Sequence, residues 1–177
     1  MKPTVDPKHP LRKLFHGLVE QAFMVDMGIC DTALTDYLGR LLMEFVHVEQ
    51  IYRLRTVDHS VIRDISRMEA EADLGSGIDE TGRRRLVNKY IGDFTLFWAG
   101  VYPEQLHPRQ SGGVGKLRIY LEQGKRSYEI ASELTRSREK PPAEVLQSLS
   151  EQFEFCVHGL HLVRAGWEQL SAGPGEN

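Results

Sequence analysis

Eight residues near the C-terminus, Leu146, Leu149, Phe153, Cys156, Leu160, Val163, Trp167 and Leu170, recur at alternating spacings of three and four. Only an α-helix brings positions so spaced onto one line, and a helix with such a line is stable only when other helices cover it. A second apolar line runs through Phe155, Gly159, Leu162 and Gly166, with His158 between its members. Glycines on a helix face permit close backbone approach. A helix with two such lines is either central in its bundle or shared with another chain. Phe155, His158, Gly159, Leu162 and Gly166 are therefore the candidate interface residues.

The rest of the chain reads as helices of the same kind. Six are expected in a single all-α bundle over 9–171, with a flexible arm over 1–8 and a disordered tail over 172–177. Helix one runs from Pro10 to about Met27 and stops at Gly28. Asp31 suits an N-cap for helix two, which runs to about Leu54. Asp58 or Ser60 opens a third helix ending near Leu74, and Thr81 caps a fourth that ends before Pro103. A proline- and glycine-bearing loop, 103–115, leads to helix five, Lys116 to Thr135. Pro141 and Pro142 then open helix six. No segment sustains a period of two, so no sheet is expected. In the fourth helix Phe94, Leu96, Phe97, Trp98 and Val101 cover nearly the whole circumference, which marks it as buried on most sides.

Composition narrows the function classes. Of the 177 residues 41% are hydrophobic, enough for a real core, and a net charge of -3 suggests no general affinity for nucleic acid. The most apolar run, Phe94 to Tyr102, is nine residues long, whereas a membrane span needs about 20. The proline- and charge-rich start leaves no room for a secretory leader. Cys30 and Cys156 lack metal-ligand spacing and lie among apolar residues, which fits small hydrophobes in a reducing, cytoplasmic setting.

Motifs for catalysis fail on spacing or phase. Gly115-Lys116 is followed by Leu117, and Gln110 stands where a phosphate loop needs its first glycine. Two Glu-x-x-His pairs, Glu44 with His47 and Glu104 with His107, resemble half of a ferritin-like di-metal set. His47, however, lies roughly 140° from the buried face of helix two, and Glu104 follows a proline. Arg83, Arg84 and Arg85 open helix four against its dipole, which asks for acidic partners or a phosphate.

The remaining signal is three acids on apolar lines. Asp26 continues Leu11, Phe15, Leu18 and Ala22; Glu49 continues Leu38, Leu42 and Phe45; Asp93 sits beside Tyr90, Phe94 and Phe97. A buried carboxylate needs a partner. Arginines such as Arg118, the hydroxyls of Tyr120 and Tyr128, or a bound cation would serve. Helix five carries Tyr120 and Tyr128 on a face with Gly124, Ser127 and Ala131, small and polar enough to wall a pocket. With His161, these make the pocket candidates Asp26, Glu49, Asp93, Tyr120, Tyr128 and His161, open to a small-molecule ligand. The sequence names no cofactor and no metal set. The leading expectation is a non-enzymatic helical interaction or regulatory domain that forms homo-oligomers, because it asks only for packing. A ferritin-like metal-dependent oxidoreductase and a nucleic-acid-associated domain using Arg83–Arg85 are the alternatives.

Overall fold

The computed structural model describes residues 10–52, 79–106 and 115–173, with the backbone alone over 46–52. Among the described residues six α-helices follow one another: α1 (Pro10–Glu20), α2 (Thr32–Tyr52), α3 (Glu80–Val101), α4 (Lys116–Glu133), α5 (Ala143–Glu151) and α6 (Phe153–Ser171). A π-helical segment, Gln21–Asp26, prolongs α1, and a 3₁₀ turn, Pro103–Leu106, follows α3. There is no strand among the described residues, and none of their helices is long and apolar enough to cross a membrane. The helix expected between residues 58 and 74 lies outside the described residues, as do the arm over 1–8, most of the 103–115 loop and the end of the tail.

Local chemistry explains the boundaries. Gly28, at φ +70°, takes a left-handed conformation that most side chains avoid, and it ends the first helical unit. Asp31 then caps α2, its Oδ1 accepting from the Leu34 N–H at 3.0 Å. The cap of α3 is Asp79, which accepts from Gly82 N–H at 2.9 Å, and not Thr81. An acceptor that reaches the third backbone N–H ahead outranked a threonine already inside the helix. The long final helix is broken at Gln152, whose ψ of 24° leaves the α region. The two pieces take different neighbours, α5 packing chiefly on α4 and α6 chiefly on α3.

The core forms around α3. Every residue from Ile91 to Val101 is buried. Phe45 of α2 stacks on Phe97 at 5.1 Å between centroids, and Phe97 meets Trp98 edge-on at 5.7 Å. Burying one such aromatic stabilises the fold by about 1.5–3 kcal/mol. The apolar line read from the C-terminal sequence is buried from Leu146 through Val163 despite the break. Beyond it, Trp167 is half-buried edge-on to Phe15 at 5.2 Å, and Leu170 is 62% exposed.

Glycines let these helices approach. A Cβ on Gly100 would sit 2.7 Å from Leu160, and one on Gly159 would sit 2.1 Å from the Phe23 ring. The second apolar line of α6 is thus covered within the chain. Phe23 fills the Gly159 position, Leu18 lies over Gly166, and Leu162 packs on the core. The candidate interface is corrected accordingly: Gly159 and Gly166 serve internal packing, while Phe155 and His158 are exposed.

Candidate functional site

A polar cluster centred on Asp93 lies inside the bundle. Asp93 is 3% exposed. Oδ1 accepts from the Tyr37 hydroxyl of α2 at 2.5 Å and from the Tyr128 hydroxyl of α4 at 2.7 Å. Oδ2 accepts from Lys89 Nζ, one turn earlier on α3, at 2.7 Å. That ammonium also stands 5.5 Å from the centroid of the Tyr37 ring, within range of a cation–π contact. Gly92 makes the arrangement possible. A Cβ there would be 2.7 Å from the Tyr128 ring, so only glycine lets that ring cross α3 beside the carboxylate.

The electrostatics of the cluster are mutually consistent. Burial pushes both tyrosines well above the usual phenol range, and the adjacent Asp93 charge pushes them further. Both hydroxyls therefore keep their protons and donate. Asp93 thereby meets three donors from three side chains, which compensates the loss of water that an isolated buried carboxylate could not bear. A general base must reach the proton it removes directly or through one water. Asp93 instead faces donors of its own chain on both oxygens, and the geometry makes it a joint that ties α2, α3 and α4 together.

The other predicted pocket residues do not join it. Asp26 is exposed and accepts from Gln21 Nε2 at 3.3 Å. The π-helical turn is the cause. Met27 N–H bonds back five residues to the Ala22 carbonyl at 3.0 Å, so the fifth residue, not the fourth, continues the inner line. Met27 packs on the core in the place assigned to Asp26. Glu49 and His47 lie where side chains are outside the described residues. Tyr120 is half-buried against Phe94, with ring centroids 6.3 Å apart, and burial pushes its hydroxyl up to about 12. His161 is exposed, and its Nε2 meets the Ala99 carbonyl at 3.0 Å. The centre of the small face of α4 is filled: the Phe153 ring occupies the space over Gly124, and the Tyr128 ring lies against α3.

Two partners of Asp93 escaped the sequence reading. Lys89 was findable, since a lysine four residues before an aspartate faces it on a helix. Tyr37 stands one residue off the apolar line of α2, and only the crossing of α2 over α3 brings it to the carboxylate.

The arginine run and the cysteines divide between inside and outside. Arg85 is buried; its guanidinium donates to Thr135 Oγ1 at 2.8 Å and to the Pro141 carbonyl at 3.0 Å, and stands 3.4 Å from Glu139. It thus binds the turn between α4 and α5 and is not part of a basic surface with Arg84, which is exposed. Glu104 pairs with Arg164 at 2.5 Å, and that arginine also donates to the Val101 carbonyl at 2.7 Å and to Glu168 Oε1 at 2.9 Å. Cys156 is buried, but Cys30 is exposed, against the expectation that both are packed. Among the described residues no three of histidine, cysteine, aspartate and glutamate come together at metal-binding distances. No protein-family description, curated protein or solved structure matches the chain.

Proposed function

We propose that this chain is a non-enzymatic helical interaction or regulatory domain that self-associates in the cytoplasm. One observation carries the reading. The polar chemistry at the centre of the bundle is consumed in holding it together, Asp93 being engaged on both oxygens, while apolar side chains stand in solvent on its outside. Val25 is 68% exposed, Phe155 62% and Ile119 56%. A domain of this kind presents a rigid surface, and its function lies in what that surface meets. The free thiols, one of them exposed, suit a reducing compartment.

Sedimentation velocity across a concentration series, from below micromolar to tens of micromolar, tests the reading. A mass that rises with concentration to a defined oligomer is expected. A monomer throughout the range would remove the proposal. The ferritin-like alternative loses support because Asp26 is outside the bundle and Glu104 is held by Arg164. The nucleic-acid alternative loses support because Arg85 is turned inward.

A further inference from the structure

α3 and α4 lie side by side and leave an open surface groove of about 470 Å³, lined by residues that include Asn88, Ile91, Ile119, Glu122, Arg126 and Ile130. The α4 members are spaced by three and four, so they form one line along the helix. This is the face of α4 that the bundle does not use. The inner face, Gly124, Ser127, Tyr128 and Ala131, is buried, whereas Glu122 and Arg126 are exposed and Ile119 is more than half exposed. Glu122 meets Arg118 at 2.9 Å, with both side chains about two-thirds in water, and such surface pairs hold little. Arg126 has no partner among the described residues.

We infer that this groove takes α4 of a second copy of the chain, laid antiparallel about a two-fold axis near Gly124. The inference rests on the self-association proposed above and names its surface. The reason for choosing a second copy is that the line is complementary to itself. Glu122 and Arg126 stand equally far from Gly124 on either side, so a two-fold axis there sets the acid of each copy beside the base of the other. Ile119 stands five positions before Gly124 and Ile130 six positions after it, so the same axis brings each isoleucine to within one residue position of the other copy's counterpart. An isologous interface requires this matching of a patch with its own rotated image. The apolar floor at Ile91 and Ile119 supplies the contact, and the paired charges fix its direction, since a parallel arrangement would bring like charges together.

The test is a charge swap read by sedimentation velocity on the full chain. Glu122→Arg alone sets arginine beside arginine across the axis, and Arg126→Glu alone sets glutamate beside glutamate. Each is expected to weaken association by about tenfold or more. The double variant E122R/R126E restores opposite charges and is expected to associate as the original does. An equimolar mixture of the two single variants is expected to form a mixed dimer, because each cross-pair is then acid against base. All substituted positions are exposed, and circular dichroism checks that each variant is folded. If the original chain self-associates and the single variants do so equally well, the groove is not the interface and this inference falls while self-association stands. Loss of association in Phe155→Asp, with both single swaps unaffected, would move the interface to α6 and overturn it in the same way. A monomeric original chain removes both.

Discussion

The joint at Asp93 makes a quantitative prediction about coupling. Tyr128→Phe removes one hydroxyl and leaves the ring, so packing over Gly92 is kept and the cost is that of a hydrogen bond to a charged acceptor, about 1.5–3 kcal/mol. Asp93→Ala removes the acceptor instead. The Tyr128 hydroxyl, in a side chain of 0% exposure, is then left buried without a partner, at about 1–3 kcal/mol. Lys89 keeps 23% exposure and reaches water, so it adds less, while the Tyr37 hydroxyl also loses its acceptor. The sum for Asp93→Ala is about 2–5 kcal/mol. In the Asp93→Ala background the further change Tyr128→Phe removes the orphaned hydroxyl, and it is expected to cost nothing or to restore stability. The double-mutant cycle therefore has a coupling of about 2 kcal/mol or more. Urea unfolding followed by far-ultraviolet circular dichroism measures it, with equal slopes in denaturant as the check that all four proteins unfold alike. If the two changes add to within about 0.5 kcal/mol, the hydroxyl and the carboxylate are not energetically linked, and the assignment of Asp93 as a joint is wrong.

Three further outcomes follow from the same structure. Gly159→Ala forces a methyl to within 2.1 Å of Phe23 and is expected to cost about 1–3 kcal/mol, whereas Gly166→Ala meets only the end of Leu18 at 3.0 Å and gains up to about 1 kcal/mol of helix propensity, so denaturation midpoints should move in opposite directions. The raised folded-state ionisation of Tyr37 and Tyr128 means that the unfolded chain releases protons first as pH climbs past about 10; the stability they confer is whole below that pH and lost above it, and ultraviolet absorbance should show their phenolate signal arriving together with unfolding, at a less alkali-sensitive midpoint in Tyr128→Phe. A thiol reagent should label Cys30 quickly in the folded protein and Cys156 only after denaturation, because burial pushes the Cys156 thiol up to about 12; equal rates would contradict the packing of α6.

The amino-acid order alone marked most of the described helical stretches and which of them is central. Those properties reside in patterns of three and four, in caps such as Asp31 and in the apolar circumference of Phe94 to Val101, and each is local. It also marked Asp93 as a carboxylate needing company and Tyr128 as a donor able to provide it. Three things lay beyond those patterns. The π-helical turn displaced Asp26 outward by adding a residue to one turn, a shift that no cap or periodicity announces. Tyr37 reached Asp93 only because α2 crosses α3. The glycines at 159 and 166 looked the same in sequence whether a neighbouring chain or the chain's own first helix was to fill them, and the placement of Phe23 and Leu18 decided for the latter. Phase along one helix is set by backbone geometry, but which element comes to rest against a given face is set by the packing of the whole bundle.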